Sequence, residues 1–238
     1  MKSLIIYIFS TVLFSACSST DKKQVNQCLF ILPDITDTLF AIDALSENTI
    51  CKGLSVTTDN PNAGATVHFI PITNMRYTKD NAVIIPCDIE QDNEWERKLA
   101  IDSFKRLIQL QCDSVKTHHK GINGSAIFEN LEYVLQRASE CKGYNSLDIK
   151  VLSDLRQFSP LCNTYDTNKL SEFMIAPTLC GDWFDNTYYI PVSLKGITIW
   201  FIHQSKTVSE DHAFHIISTF LKFYLEDKGA KVFIQTTL

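Results

Sequence analysis

Oxygen-bearing side chains that suit a divalent metal ion occur at three separate places in the sequence. Asp34, Thr36 and Thr38 alternate directly after an apolar segment. Ser125 lies in a glycine-containing stretch, and Asp154 follows another apolar segment. Hard cations such as Mg²⁺, Ca²⁺ and Mn²⁺ prefer oxygen ligands, including carboxylates, hydroxyls and water. These five residues are our candidate metal ligands, provided that the fold brings them together.

Several short apolar segments have the character of β-strands. The first is continuous and ends at Pro33, which is typical of a strand buried on both faces of a parallel sheet. The second and third are joined by a short polar connection, which favours a hairpin. The predicted strands cover residues 28–32, 66–72, 82–86, 147–152, 197–202 and 231–236.

Amphipathic helices alternate with these strands. Residues 95–110 and 127–138 repeat apolar side chains at helical spacing among charged ones. A third helix precedes the last strand, with a capping box formed by Thr207 and Glu210 at its start and Gly229 at its end. This alternation predicts an α/β fold, a doubly wound and mostly parallel sheet with helices on both faces.

The predicted fold gives the candidate ligands a common location. In a doubly wound sheet, ligands bind beyond the carboxyl ends of the strands, where the strand order reverses. Asp34 and Asp154 each follow a predicted strand, and Ser125 opens a predicted helix. We therefore expect these three residues to meet at one edge of the sheet.

This set resembles the metal-ion-dependent adhesion site of von Willebrand factor type A (vWA) domains. That site uses Asp-x-Ser-x-Ser in a first loop, a Thr in a second and an Asp in a third. Asp34, Thr36 and Thr38 match the first loop, Ser125 the second and Asp154 the third. Thr stands for both serines of the first loop, and Ser for the Thr of the second. The order of elements also agrees, so the resemblance covers roughly residues 28–238.

The resemblance implies a binding protein and not an enzyme. Two carboxylates would leave a bound Mg²⁺, Ca²⁺ or Mn²⁺ electrophilic, so the ion could accept an acidic side chain from an envelope or extracellular protein. A metal-assisted hydrolase that uses the same carboxylates is one alternative. The other is a structural lipoprotein with a degenerate metal site, because Ser, Thr and Asp also cap helices and strand ends.

The first residues have the order of a bacterial secretory signal. Lys2 precedes an apolar run that ends in Ser-Ala directly before Cys17, and this run is too short to span a bilayer comfortably. Cys17 resembles the lipidated cysteine of a bacterial lipobox, although Phe14 stands where Leu or Val is usual. An ordinary secretory signal or an uncleaved anchor is the alternative.

These features divide the chain into three parts. We predict a lipoprotein signal peptide over residues 1–16, a lipidated Cys17 with a polar tether over 17–27, and the vWA-like domain over 28–238. The implied location is the bacterial cell envelope, with a lipid anchor in a membrane. Ser18 after the cysteine favours the outer membrane.

Composition and motifs argue against several other functions. The formal net charge is -5 and the chain has no basic block, so we expect no nucleic-acid partner. The sequence contains neither a Walker-type glycine loop nor a Gly-x-Ser-x-Gly elbow. His118 and His119 are adjacent and so point in different directions on most backbones, which argues against a shared role. His212 and His215 lack an evident partner at ligand spacing, so we expect them to be surface or packing residues.

Two further groups of residues leave questions open. After Cys17, seven of the eight cysteines remain and none forms a Cys-x-x-Cys pair. If the compartment is oxidising, the odd number leaves at least one thiol without a partner in the chain. Residues 181–189 are polar and aromatic, and we interpret them as a loop that either contacts a protein partner or folds over the core.

Overall fold

The computed structural model describes residues 24–36, 45–60, 62–74, 78–87, 93–118 and 124–236. Its strands are β1 (Val25–Pro33), β2 (Ala63–Phe69), β3 (Asn81–Ile85), β4 (Ser146–Leu152), β5 (Ile197–Ile202) and β6 (Lys231–Gln235). Within these ranges the strands form one sheet in the order β3-β2-β1-β4-β5-β6. The β2–β3 pair is antiparallel and the other neighbours are parallel, so the predicted hairpin is confirmed.

Helices cover both faces of this sheet. They are α1 (Glu47–Cys51), α2 (Glu94–His118), α3 (Ile127–Glu140), α4 (Thr167–Ile175), α5 (Pro177–Thr187) and α6 (Val208–Asp227). None of the helices in the described part of the chain is long and apolar enough to cross a membrane.

The central strand β1 is buried on both sides because successive residues of a strand point to opposite faces. Cys28, Phe30 and Leu32 belong to one hydrophobic cluster, together with residues of α3, α4, α5 and α6. Leu29 and Ile31 belong to the other cluster, which includes residues of α1 and α2. This double burial explains the continuous apolar run at the start of the domain. The predicted α/β class, with a mostly parallel sheet, is confirmed.

The last helix begins and ends where the sequence indicates. The Thr207 hydroxyl accepts a hydrogen bond of 3.2 Å from the Glu210 amide. The Glu210 carboxylate accepts one of 2.9 Å from the Lys206 amide, one residue before the position that a capping box uses. Gly229 follows the helix with φ +92°, a backbone conformation that glycine adopts readily.

Two segments differ from the sequence predictions. β1 begins at Val25, inside the expected tether, because its first residues pair with β2 and the Val25 amide donates to the Asn62 carbonyl at 2.9 Å. Most of residues 181–189, expected to be a loop, lies in α5. In that helix Phe184 is fully buried and Trp183 packs against the core, so its aromatic residues serve packing. Only part of the aromatic segment remains on the surface, where Tyr189 is exposed.

Candidate functional site

The candidate site lies where the strand order reverses. β1 pairs with β2 on one side and with β4 on the other, and Pro33 is aligned with Leu152 at the ends of β1 and β4. The Asp34 amide continues this pairing with a 2.9 Å hydrogen bond to the Leu152 carbonyl. The residues that follow these two strands therefore lie side by side, as expected for the ligand-binding edge of an α/β sheet.

Hydroxyl groups from three segments converge on the carboxylate of Asp34, which is only 1% exposed. Oδ1 accepts hydrogen bonds from the Thr36 amide at 2.9 Å and the Thr36 hydroxyl at 2.6 Å. Oδ2 accepts from the Ser153 hydroxyl at 2.7 Å and the Ser125 hydroxyl at 3.2 Å. The structure thus brings together three of the predicted ligands and adds Ser153.

Backbone contacts on both sides hold Ser125 against Asp34. The Ser125 amide donates to the Phe158 carbonyl at 3.1 Å, and the Phe158 amide donates back to the Ser125 carbonyl at 2.9 Å. The next amide, that of Ala126, donates to the Thr73 carbonyl at 2.8 Å. Ser125 is therefore positioned between the loops that follow β2 and β4.

Ser125 does not cap α3, which was one of the alternative roles for it. The N-cap residue is Ala126, which offers no side-chain hydrogen bond. Instead, the side-chain oxygen Oε1 of the buried Gln157 accepts a 2.9 Å hydrogen bond from the backbone amide of Phe128. Gln157 Nε2 also donates to the carboxylate of the buried Glu129 at 2.5 Å and to the Ser159 hydroxyl at 2.7 Å. The loop after β4 thus caps a helix that precedes it in the chain.

Asp154 lies directly beside this cluster. Its carboxylate accepts a 2.8 Å hydrogen bond from the Arg156 amide, and the residue is 9% exposed. This contact matches the alternative in which a strand-end Asp accepts from nearby backbone. The predicted ligand Thr38 and the predicted lipidated Cys17 both lie outside the described ranges.

A strained residue follows Asp154. Leu155 has φ 62° and is completely buried. A positive φ is rare for a bulky side chain and is found preferentially where surrounding contacts impose it, often at functional sites. Here the Leu155 amide donates to the Ser153 hydroxyl oxygen at 3.0 Å. The same hydroxyl that contacts Asp34 therefore stabilises the unusual turn.

The donor atoms at this edge are chemically suited to a hard cation. Asp34, Thr36, Ser125, Ser153 and Asp154 present only carboxylate and hydroxyl oxygens. Across the described ranges, no group of three His, Cys, Asp or Glu side chains has a metal-binding arrangement. A cation at this edge would therefore depend on hydroxyl oxygens and water as well as on carboxylates.

Exposed apolar side chains border the cluster. Phe158, which pairs with Ser125, is 50% exposed, and Tyr165 meets it edge to face at 6.2 Å between ring centroids. The Arg156 guanidinium lies 3.8 Å from the centroid of the Tyr165 ring. Leu161 is also exposed in the same loop. We call Phe158, Leu161 and Tyr165 the apolar rim.

The other candidate groups lie apart from this cluster or outside the described residues. His212 and His215 are exposed on α6, as expected for surface residues. His119 falls outside the described ranges. Burial raises the pKa of Cys112 to about 11 and that of Cys162 to about 12, so both thiols are protonated at neutral pH. Neither is activated for nucleophilic attack, which requires the thiolate.

Sequence reasoning identified Asp34 and Ser125 correctly as neighbours but missed Ser153 and Gln157 as parts of the site. Ser153 adjoins Asp154 at a strand end, and that position was the available signal. Gln157 carries no local signal, because its partners lie in a helix about thirty residues earlier in the chain.

The chain matches no family model, no curated protein and no solved structure.

Proposed function

We propose that this chain is a lipid-anchored protein of the bacterial cell envelope whose vWA-like domain binds another protein through a divalent-metal site. The observation that carries the proposal is the convergence of the Thr36, Ser125 and Ser153 hydroxyls on the Asp34 carboxylate. Hydroxyls and a carboxylate meeting at the carboxyl ends of β1 and β4 are consistent with the vWA resemblance.

The carboxylates and the hydroxyls would contribute differently to such a metal site. Asp34 and Asp154 would supply negative charge, and the hydroxyls of Thr36, Ser125 and Ser153 would supply neutral oxygen ligands. A bound Mg²⁺, Ca²⁺ or Mn²⁺ would act as a Lewis acid that accepts a carboxylate from the partner. Two carboxylates and three neutral hydroxyls would leave at least one position of a six-coordinate ion for water or for the carboxylate of a partner.

The apolar rim supports a protein as the ligand. Phe158, Leu161 and Tyr165 expose apolar surface beside Ser125, and aromatic side chains contribute strongly to protein interfaces. The stacked Arg156 adds a cation at the same border. A partner with an acidic side chain flanked by apolar residues would complement both features.

A second candidate function is that of a structural lipoprotein without a metal. It is favoured by the hydrogen bonds at Asp34, since both carboxylate oxygens already accept bonds from protein donors. A buried carboxylate that is satisfied in this way is stable without a cation. The two functions therefore differ in one measurable property, the binding of a divalent ion.

Thermal unfolding of the chain from Ser18 onward, with EDTA and then with millimolar Mg²⁺, Mn²⁺ or Ca²⁺, tests the proposal. An ion present at a hundred times its dissociation constant stabilises the native state by about 2.7 kcal/mol. We expect the ion to raise the melting temperature of the native protein. Thr36→Val and Asp154→Ala should reduce this rise, and Asp34→Ala should abolish it.

Asp182→Ala is the matched control, because this exposed carboxylate lies on α5 and not at the candidate site. It should keep the full response to the ion. If none of the ions changes the melting temperature, the metal-binding function is wrong and the structural alternative remains. Turnover of generic ester or phosphate substrates would instead favour the metal-assisted hydrolase.

The lipid anchor needs a separate test. Metabolic labelling with a radioactive fatty acid should label the full chain, and Cys17→Ser should remove both the label and the membrane association. Ser18→Ala, which leaves the cysteine in place, should keep the label. A native chain that is processed without taking up label would indicate an ordinary secretory signal.

A further inference from the structure

Two cysteines that are far apart in sequence meet beneath α3. Cys28 lies on β1, is fully buried and belongs to the hydrophobic cluster under α3. Cys141 is the C-cap residue of α3 and packs against the same cluster. Cys141 lines a recess together with Leu147, the β4 residue that is aligned with Cys28, and the two thiols lie near enough to interact. The Cys141 S–H donates to the Arg137 carbonyl at 3.3 Å.

The backbone around both residues is held in place independently of the thiols. After α3 the chain returns to the sheet, where the Asn145 amide donates to the Asn26 carbonyl at 2.7 Å. The Asn26 amide donates in turn to Asn145 Oδ1, also at 2.7 Å. Leu147 is then aligned with Cys28 in the β1–β4 pair. These contacts fix the separation of the two cysteines before any bond between them forms.

Cys141 is accessible to a reagent although Cys28 is not. Cys141 is half-buried and lines a recess of about 260 Å³, together with Tyr144 and Leu147. Burial, followed by the interaction with Cys141, raises the pKa of the Cys28 thiol well above its usual value. Attack on an external oxidant should therefore begin at the more accessible Cys141.

We propose that Cys28 and Cys141 form an intramolecular disulfide that joins β1 to the end of α3. Its formation in the cell depends on the export that is part of the proposed function, because disulfides persist in oxidising compartments. The structural pairing of the two thiols does not depend on export.

The reaction needs a disulfide oxidant, such as a thiol–disulfide oxidoreductase of the envelope or oxidised glutathione. The Cys141 thiolate attacks the oxidant, forming a mixed disulfide and releasing one thiol. The Cys28 thiolate then attacks the sulfur of Cys141 and releases the second thiol. The protein loses two electrons and two protons, and the oxidant is reduced to two thiols.

The bond would constrain the core at a defined place. It would close the chain between residues 28 and 141, a long loop whose cross-linking restricts the unfolded state. It would also fasten α3 to β1 at the end of the helix opposite Ser125.

The test uses the full chain, produced in a bacterial host, extracted in detergent, reduced and then treated with oxidised glutathione. Free thiols are alkylated before digestion and mass spectrometry. The digest needs a protease that cleaves after acidic residues, because no Lys or Arg separates Cys28 from Cys51. We expect a linked Cys28–Cys141 peptide in most molecules, and a higher urea midpoint for the oxidised protein than for the reduced one.

Cys28→Ser and Cys141→Ser should each abolish the linked peptide and the redox dependence of the midpoint. Cys87→Ser is the matched control, because the half-buried Cys87 thiol donates to the Asn62 carbonyl just before β2 and not to a cysteine, and it should keep both. Failure of the folded protein to form the linked peptide, or pairing of Cys28 with another cysteine, would overturn the proposal.

A second measurement separates this proposal from the question of location. Free thiols are blocked in intact cells before extraction, so that the linked peptide reports the state inside the cell. A linked peptide supports both the pairing and an oxidising compartment. If the pair forms with glutathione but is reduced in the cell, the pairing is correct and the export assumed in the proposed function is wrong.

Discussion

The Ser153 hydroxyl lies between Asp34 and Leu155, donating a 2.7 Å hydrogen bond to Asp34 Oδ2 and accepting a 3.0 Å bond from the Leu155 amide. One side chain therefore links the carboxyl ends of β1 and β4 and stabilises the strained turn that follows. Its hydroxyl is fully buried, so water cannot replace either bond.

Ser153→Ala should destabilise the protein by about 1–3 kcal/mol, the cost of leaving buried hydrogen-bonding groups without partners. Urea unfolding measures this change. Ser171→Ala on α4 is the control, since the half-buried Ser171 donates its hydroxyl to the Thr167 carbonyl of its own helix and not to another element. It should change the free energy of unfolding by less than about 0.5 kcal/mol. Equal stabilities of the two variants would contradict the role assigned to Ser153.

Gln157→Leu should destabilise α3 although residue 157 is outside that helix. Leu has a similar volume but removes the acceptor for the Phe128 amide and the donor to Glu129. We expect a loss of at least about 2 kcal/mol, because a buried carboxylate and a buried amide both lose a partner. Hydrogen exchange should be faster at the Phe128 amide. The exposed Gln204→Leu is the control and should alter neither quantity.

Arg97→Lys tests how the start of α2 is attached to the sheet. The buried guanidinium donates to the Pro86 carbonyl at 3.2 Å and the Ala63 carbonyl at 2.5 Å, which a lysine cannot contact in the same planar geometry. We expect a loss of about 1.5–3 kcal/mol in urea unfolding. Arg106→Lys, at an exposed position of the same helix, should leave stability unchanged. A loss of the same size in both would show that the geometry of Arg97 is unimportant.

Asp185 should contribute to acid sensitivity. Burial alone would raise the pKa of Asp185, but hydrogen bonds from the Tyr224 hydroxyl and the Lys228 ammonium outweigh it and lower the pKa below the usual 3.8. The folded protein then binds this proton more weakly than the unfolded chain. Its stabilising effect is present above the usual pKa and is lost as the pH falls through the lowered one.

Unfolding free energies measured from neutral pH down to about pH 2 check this prediction. Asp185→Asn should be less stable than the native protein at neutral pH, and the difference should shrink in acid. The effect should be small, because the Asp185 side chain is half exposed and screened by solvent. Asp182→Asn changes the same charge on the same helix and should show no comparable convergence. A constant difference across the range would rule out the assigned cause.

The elements that sequence analysis predicted best are those whose own residues determine them. The apolar runs of β4, β5 and β6 and the cap at Thr207 depend on local pattern, and their positions agree with the structure within a residue or two. α5 was missed because Gly181 and its polar neighbours are typical of a loop, although the aromatic side chains of this helix face the core. That burial depends on α6 and the sheet, which are distant in sequence.

In the candidate site, too, local sequence patterns predicted some features, and others depend on contacts between distant parts of the chain. Strand ends could be located from the sequence, and with them the neighbourhood of Asp34 and Asp154. The contact between Ser153 and Asp34 depends on the alignment of β1 with β4 and on the turn at Leu155. No local sequence pattern predicts either of these features. Ser153 therefore became recognisable only in three dimensions. The cap supplied by Gln157 is another contact of this kind.

The central position of β1 determines when the sheet can be completed during synthesis. β1 is the first of the described strands to be made, yet its neighbour β4 ends at Leu152, so one edge of β1 stays unpaired until more than half of the chain has emerged. An apolar strand with an unpaired edge readily pairs with other chains. We therefore expect this strand to be protected in the nascent polypeptide, by a chaperone or by retention in an unfolded state.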